Sequence, residues 1–264
     1  MAWLILFAPP PSIYVTVMTV VSAVSLANAG WSEVRGKHLQ YSKFWNSNKK
    51  QLLNCQLSSR TGMLLIYSPA FLVGAASFWL LHAAESGSLR FMLVKSVLTI
   101  HFLKRILEVL LVHKYSGRVM VDSLILISLS YGLSTATMIY AQQLTQGFAE
   151  PPIDLMYPGM VLFLVGITVN FYHHCLLSKL RSNRDKEYKL PKGGLFGLVV
   201  CPHYLFEIIG FWGVAFVSQT LYAFSFATAT TLYLIGRSYA TRRWYLSKFE
   251  DFPKHIKALL PFLF

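Results

Sequence analysis

Four side chains able to move protons or pair charges fall close together in one apolar stretch: His101, Lys104, Arg105 and Glu108. At about 100° of turn per residue they share an arc of about 100°, so a helix there carries all four on one face. Lys104 and Glu108 stand one helical turn apart, a spacing that suits an ion pair. Asn170, His173, His174 and Arg181 repeat the pattern in a second apolar stretch. His203 and Glu207 lie one turn apart in a third, and Tyr233 and Arg237 in a fourth. Such sets do one of two things in an apolar helix. They form structural ion pairs whose long cations reach toward the polar interface, or they face a hydrated cavity. Four separate helices bringing polar groups to the same side favour one shared cavity. Arg105, Arg181 and Arg237 around it suit an anionic ligand such as a phosphate-bearing cofactor. Adjacent His173 and His174 invite a metal, but membrane metal-oxygenase sites need repeated HxxHH-like clusters. The eight histidines of this chain form no such cluster, and no metal is expected.

The elements that must carry these residues are membrane spans. Of 264 residues 55% are hydrophobic and only 13% charged, about half the charge of a soluble domain. Mean hydropathy is +0.48. This excludes an ordinary cytosolic domain, a disordered tail and a basic nucleic-acid-binding domain, so no nucleic-acid partner is expected. Seven apolar stretches of bilayer length can be cut, at 12–30, 61–82, 88–113, 119–141, 157–180, 203–218 and 221–240. Only Ser218-Gln219-Thr220 separates the last two. Prolines at 9–11, 151–152, 158 and 202 punctuate span starts.

The net charge of +13 decides orientation. Arg35, Lys37, Lys43, Lys49, Lys50 and Arg60 crowd the first loop, and Lys114 and Arg118 the third. Arg181, Arg184, Lys186, Lys189 and Lys192 occupy the fifth, and five more cations follow span seven. The intervening loops are nearly free of cations, with Arg90 the main exception. By the positive-inside rule the N-terminus is outside and the C-terminus cytosolic. No Lys or Arg precedes the first apolar run, so it is expected to stay as an anchor. Three cysteines, Cys55, Cys175 and Cys201, form no disulfide framework. The loop Tyr188 to Phe196 holds Gly193-Gly194 beside Lys192, which can bring backbone N–H groups to a phosphate. No GxGxxG follows a strand and no Walker motif exists, so any dinucleotide must bind among the helices.

At these motifs the chain resembles the steroid 5α-reductase family. The matching stretches are Tyr188-Lys-Leu-Pro-Lys-Gly-Gly-Leu-Phe196 and Pro202-His-Tyr-Leu-Phe-Glu207. Arg237, Tyr245-Leu-Ser-Lys-Phe-Glu-Asp-Phe-Pro253 and the terminal Pro261-Phe-Leu-Phe264 follow in order. The resemblance implies an all-α membrane protein, a bundle of seven transmembrane helices with a lumenal N-terminus and a cytosolic C-terminus in the endoplasmic reticulum. It implies an enzyme that holds NADPH in the bundle and reduces a C=C bond conjugated to a carbonyl in a lipid. Residues 1–113 would form the first three spans with the loop 31–60, and residues 114–264 the reductase region with spans four to seven. Carried over position by position, Lys37, Arg105, Asn170, Arg181, Tyr204, Glu207, Arg237 and Tyr245 are the implied cofactor contacts.

The substrate side departs from the family. A Glu in span two and a Tyr in span three reach the substrate ketone in the steroid reductases. Here Tyr67 and Phe102 stand at those places, and a phenylalanine donates no hydrogen bond. Tyr67 is therefore the first candidate for the proton donor and His101 the second. The run His101 to His113 is more similar to very-long-chain enoyl-CoA reductases of the same superfamily, and Pro202-His203-Tyr204 resembles polyprenol reductases. The expected activity is reduction of a 3-oxo-Δ4 steroid, with an enoyl-CoA or polyprenol substrate as the alternative. A membrane methyltransferase is the alternative from another reaction class.

Overall fold

The computed structural model describes residues 4–41, 44, 56–81, 89–180 and 189–264. Among these, seven α-helices carry the fold. They are α1 (Ile13–Val34), α2 (Ser59–Leu80), α3 (Leu89–Leu107), α4 (Val121–Gln143), α5 (Met156–Lys179), α6 (Pro202–Ser218) and α7 (Leu221–Lys248). Four of them, α1, α2, α4 and α5, are long and apolar enough to cross a membrane. The charged face of α3, the shortness of α6 and the polar C-terminal third of α7 set those three apart.

Each helix falls on one expected apolar stretch, and the two largest differences are at helix ends. The helix expected to end near residue 30 runs on to Val34. It stops where Gly36 takes a left-handed φ of 83°. There Gly36 N–H bonds to Glu33 C=O at 3.1 Å and Lys37 N–H to Ser32 C=O at 2.9 Å, closing a Schellman turn. Likewise α7 continues past residue 240 to Lys248, because nothing between 241 and 248 breaks a helix. Tyr245 then stacks on Phe249 and Phe252 to fold the tail back.

The helices pack in close pairs. α5 lies along α6 with Gly159, Gly166 and Gly213 at the crossing, and α1 lies along α7. At Gly30 a Cβ would sit 2.6 Å from Leu232 O, closer than atoms can approach, so only glycine admits α7 there. Small residues of this kind let backbones meet where lipid offers no hydrophobic drive. α2 packs against α3 and α4. A two-stranded antiparallel ribbon aligns the starts of α2 and α4. Its strand β1 (Gln56–Ser58) leads directly into α2, and β2 (Arg118–Met120) leads directly into α4.

At the opposite end of the bundle Arg90, the basic residue outside the expected charge pattern, is buried. It donates to Glu150, Asp154, Val217 O and Gln219 Oε1 at 2.7–2.9 Å. Gln219 in turn ties the N-terminal segment to the α4–α5 loop through Ile5 O and Ile153 O. One arginine therefore gathers α3, two loops and the chain start.

Candidate active site

A cavity of about 230 Å³ opens at the end of the bundle where α2 and α6 begin. Tyr67 of α2, Arg105 of α3, Tyr131 of α4 and Tyr204 and Glu207 of α6 line it, with Tyr245 of α7. Residues 113–117 and the segment around Lys189 and Pro191 also contribute to the lining.

Helix α3 delivers its charged face to this cavity and then changes geometry. After Leu107 the helix widens to a π turn, Glu108–Val112, with His113 N–H bonded to Glu108 O at 2.8 Å. Such insertions re-aim the side chains that follow. Glu108, 1% exposed, becomes the hub. It accepts from Lys104 Nζ at 2.8 Å and from Arg105 Nη1 at 3.1 Å, and it bonds His174 Nδ1 at 2.9 Å. An ionised carboxylate only accepts, so His174 carries its hydrogen on Nδ1. That leaves Nε2 as the acceptor for Arg105 Nη1, 3.4 Å away.

Arg105 Nη2 donates to the Tyr67 hydroxyl, and its guanidinium lies 4.7 Å from the centre of the Tyr67 ring. An arginine has donors and no acceptor, so Tyr67 can only receive in this bond. The phenol keeps its own hydrogen for another partner. Arg105 Nε is buried and bonded to no protein atom among the described residues. Glu207 meets the cavity without a hydrogen bond to any described residue.

The donor atoms of Glu108, His113 and His174 lie within 4.8 Å of one another, a spacing at which three ligands hold a metal ion. Lys104 and Arg105 already neutralise that carboxylate, and two adjacent cations repel a divalent ion. The cluster is better explained as an ion-pair network.

The sequence-derived set divides as follows. Tyr67, Arg105, Tyr204, Glu207 and Tyr245 converge on the cavity wall. Asn170 stands behind it, donating to His203 O at 2.7 Å and accepting from Lys104. His101 is buried away from the wall, its ring 5.0 Å from Phe102 and 4.9 Å from Phe211. Lys37 is exposed after the Schellman turn. Arg181 lies outside the described residues.

Arg237 is 1% exposed and does not line the cavity. Its Nη1 donates to Glu33 Oε1 at 2.6 Å, and its guanidinium sits 4.3 Å and 4.4 Å from the rings of Tyr41 and Phe44. Glu33 also bonds His38 Nδ1 at 2.6 Å and accepts from Leu39 N–H at 3.1 Å. Arg237 thus holds the loop after α1, and that loop sets Tyr41 in the cavity wall, 3.0 Å from the Tyr233 hydroxyl. Sequence reasoning passed over Glu33, Tyr41 and Tyr131. Glu33 had a signal, because a buried Arg237 demands an acid and the apolar run beginning at Ser12 reaches only one.

The family described as 3-oxo-5-alpha-steroid 4-dehydrogenase matches residues 123–264, more than half of the chain. The chain belongs to this family. It is similar to a steroid 5-alpha-reductase of Gossypium hirsutum, 42% identical over 107 residues, covering 40% of this chain and 42% of that protein. Against 3-oxo-5-alpha-steroid 4-dehydrogenase 1 of Macaca fascicularis the identity is 42% over 106 residues, 40% of each chain. A very-long-chain enoyl-CoA reductase of Dictyostelium discoideum is 32% identical over 166 residues, 62% of this chain and 55% of that protein. The matches span about 40% of the steroid relatives and about half of the enoyl-CoA reductase. Family membership covers Asn170, Tyr204, Glu207, Arg237 and Tyr245, while Tyr67, His101 and Arg105 precede the matched region. The longer enoyl-CoA reductase match reaches back before Ser123.

Proposed function

We propose that this protein is a reductase of a carbon–carbon double bond conjugated to a carbonyl in a lipid, using NADPH. In this reading all seven helices span the endoplasmic reticulum membrane, with a lumenal N-terminus and a cytosolic C-terminus. The first substrate class is a 3-oxo-Δ4 steroid, in keeping with the names of the steroid relatives. Membership in a family of oxidoreductases favours this over a methyltransferase.

The cavity fits a reduced dinucleotide in its donor set. The unbonded Arg105 Nε suits an anionic or carbonyl acceptor. Glu207, which feels the charges of Arg105 and Lys104 but makes no hydrogen bond with a described residue, suits a ribose hydroxyl or a carboxamide N–H. Tyr204 and Tyr245 supply flat faces and hydroxyls, and Asn170 steadies the wall through His203. Lys37 and Arg181 would meet the phosphates from the cytosolic side, and Arg237 would act by holding the loop that carries Tyr41. When bound, reduced nicotinamide supplies a hydride to the β-carbon of the substrate.

What the protein must do is stabilise the negative charge that this addition builds on the carbonyl oxygen. The Tyr67 hydroxyl, with its hydrogen uncommitted and Arg105 donating to its oxygen, is the group that carries the reading. Donation from a guanidinium to the phenol oxygen polarises the O–H bond and makes it a better hydrogen-bond donor. One such positioned donor contributes about 3–4 kcal/mol to the transition state. Glu108 and His174 hold Arg105 in register.

The test is NADPH consumption by the purified, detergent-solubilised protein with a 3-oxo-Δ4 steroid, a long-chain enoyl-CoA and a polyprenal. Turnover of one is expected, and Tyr67→Phe should lower kcat by about 10²–10³-fold with NADPH affinity kept. No consumption with any of the three would overturn the reading. A CoA thioester is the second substrate class, favoured by the longer match to an enoyl-CoA reductase and by Lys114 and Lys189 in the cavity lining. Competition by free CoA separates the two.

A further inference from the structure

Two donors on one carbonyl oxygen hold it in place as well as stabilise its charge, and Phe102 of α3 cannot be one of them. A phenol stands beside it on another helix. Tyr131 of α4 lines the same cavity as Tyr67. Its ring stacks on that of Tyr67, with centres 5.8 Å apart and planes 27° from parallel. Its other neighbour is Phe102, at 5.3 Å. The three rings form one packed wall in which α4 provides a hydroxyl beside the phenyl ring of α3.

The backbone fixes this arrangement. Gly132, next in sequence, faces Pro69 of α2, and a Cβ there would lie 3.4 Å from the proline Cβ. α2 and α4 therefore pack closely at the level of Tyr67, and the paired strands β1 and β2 lock the register of the two helices. The phenols of the site differ in one respect. Tyr67 receives from Arg105, and Tyr41 and Tyr233 bond one another. The hydroxyls of Tyr131 and of Tyr204 on α6 make no hydrogen bond with any described residue, and of the two Tyr131 is the one stacked on Tyr67. A phenol in a cavity wall that lacks a protein partner has a strong demand for a ligand acceptor.

We infer that Tyr131 is a catalytic residue, the second phenolic donor that converges with Tyr67 on the substrate carbonyl oxygen. The inference rests on the reductase reading above. In the step it serves, hydride forms the new C–H bond at the β-carbon and the dinucleotide is oxidised. The π electrons of the C=C bond shift to join the α-carbon to the carbonyl carbon, and the C=O pair moves onto oxygen. Tyr67 and Tyr131 both donate to that oxygen. The α-carbon then takes a proton from water as the carbonyl re-forms.

Tyr131→Phe tests this, because it keeps the ring stack and deletes only the hydroxyl. In the steady state with the substrate that the wild type turns over, kcat should fall by about 10²-fold. The KM for NADPH and the thermal unfolding midpoint should not move. If kcat stays within about twofold of wild type while Tyr67→Phe loses activity, the inference is overturned and the reductase reading stands. A fall in NADPH affinity matching the fall in kcat/KM would overturn it too, by placing Tyr131 on the cofactor. Absence of wild-type turnover with all three substrates overturns the reading and the inference together.

Discussion

Replacing Arg237 with methionine should destabilise the protein by about 3 kcal/mol. The guanidinium and the Glu33 carboxylate are each about 1% exposed and 2.6 Å apart. Removing one partner of a buried pair typically costs about 3–5 kcal/mol, because the other charge is left in a poor solvent. Here the low end applies, since Glu33 keeps His38 and the Leu39 N–H. The cation–π contacts to Tyr41 and Phe44 add to the loss. A double-mutant cycle with Glu33→Gln isolates the pair. Glu33→Gln alone strands the arginine, whereas the double variant strands neither charge, so the coupling should reach about 2 kcal/mol. The assay is reversible unfolding in mixed detergent micelles, read by circular dichroism for the wild type, both single variants and the double variant. Additive single effects, with no coupling beyond about 0.5 kcal/mol, would refute the claim that Arg237 anchors the loop through Glu33.

Arg90→Met should cost about 1–3 kcal/mol in the same assay, because Val217 O loses a buried donor. Glu150 and Asp154 are about half exposed and will be resolvated, so their loss adds little. Asp154 also gives a pH signature. Partial burial works to raise its pKa, but the Met156 N–H and Arg90 outweigh that and hold it below the ordinary carboxylate value. The stabilisation is therefore complete above the unfolded value of about 3.9 and disappears as pH falls through the folded one. Unfolding midpoints measured across that acid range should drop less steeply in Asp154→Asn than in wild type.

Much of the fold was legible because long apolar helices write themselves in composition, four of them long and apolar enough to cross a membrane. Seven apolar stretches became seven helices, with prolines and turn residues at their starts. The polar face of α3 was legible as well, since Lys104, Arg105 and Glu108 follow one helical period. The widening to a π turn at Glu108 was not, because no residue in Glu108–Val112 forbids an ordinary helix. What re-aims His113 toward His174 is packing between helices, which a local pattern does not record.

The candidate site shows the same division. Periodicity identified a polar face on four helices, and so brought Arg105 and Glu207 to one cavity before any coordinates, while Tyr245 came from the family resemblance. It could not tell Arg105, with a donor left over for a ligand, from Arg237, already taken by Glu33. Both are cations in apolar helices, and the difference lies in a residue 204 positions away. Nor could it single out Tyr131, which becomes notable only when α4 sets it against Tyr67 and Phe102.

The sequence alone thus determined the elements, the polar faces and the family, all of which depend on the order of residues along the chain. Tertiary structure decided which charges neutralise one another and which phenols remain uncommitted. Those outcomes depend on distances between helices, where a few ångströms separate a satisfied ion pair from a group still able to bind a ligand.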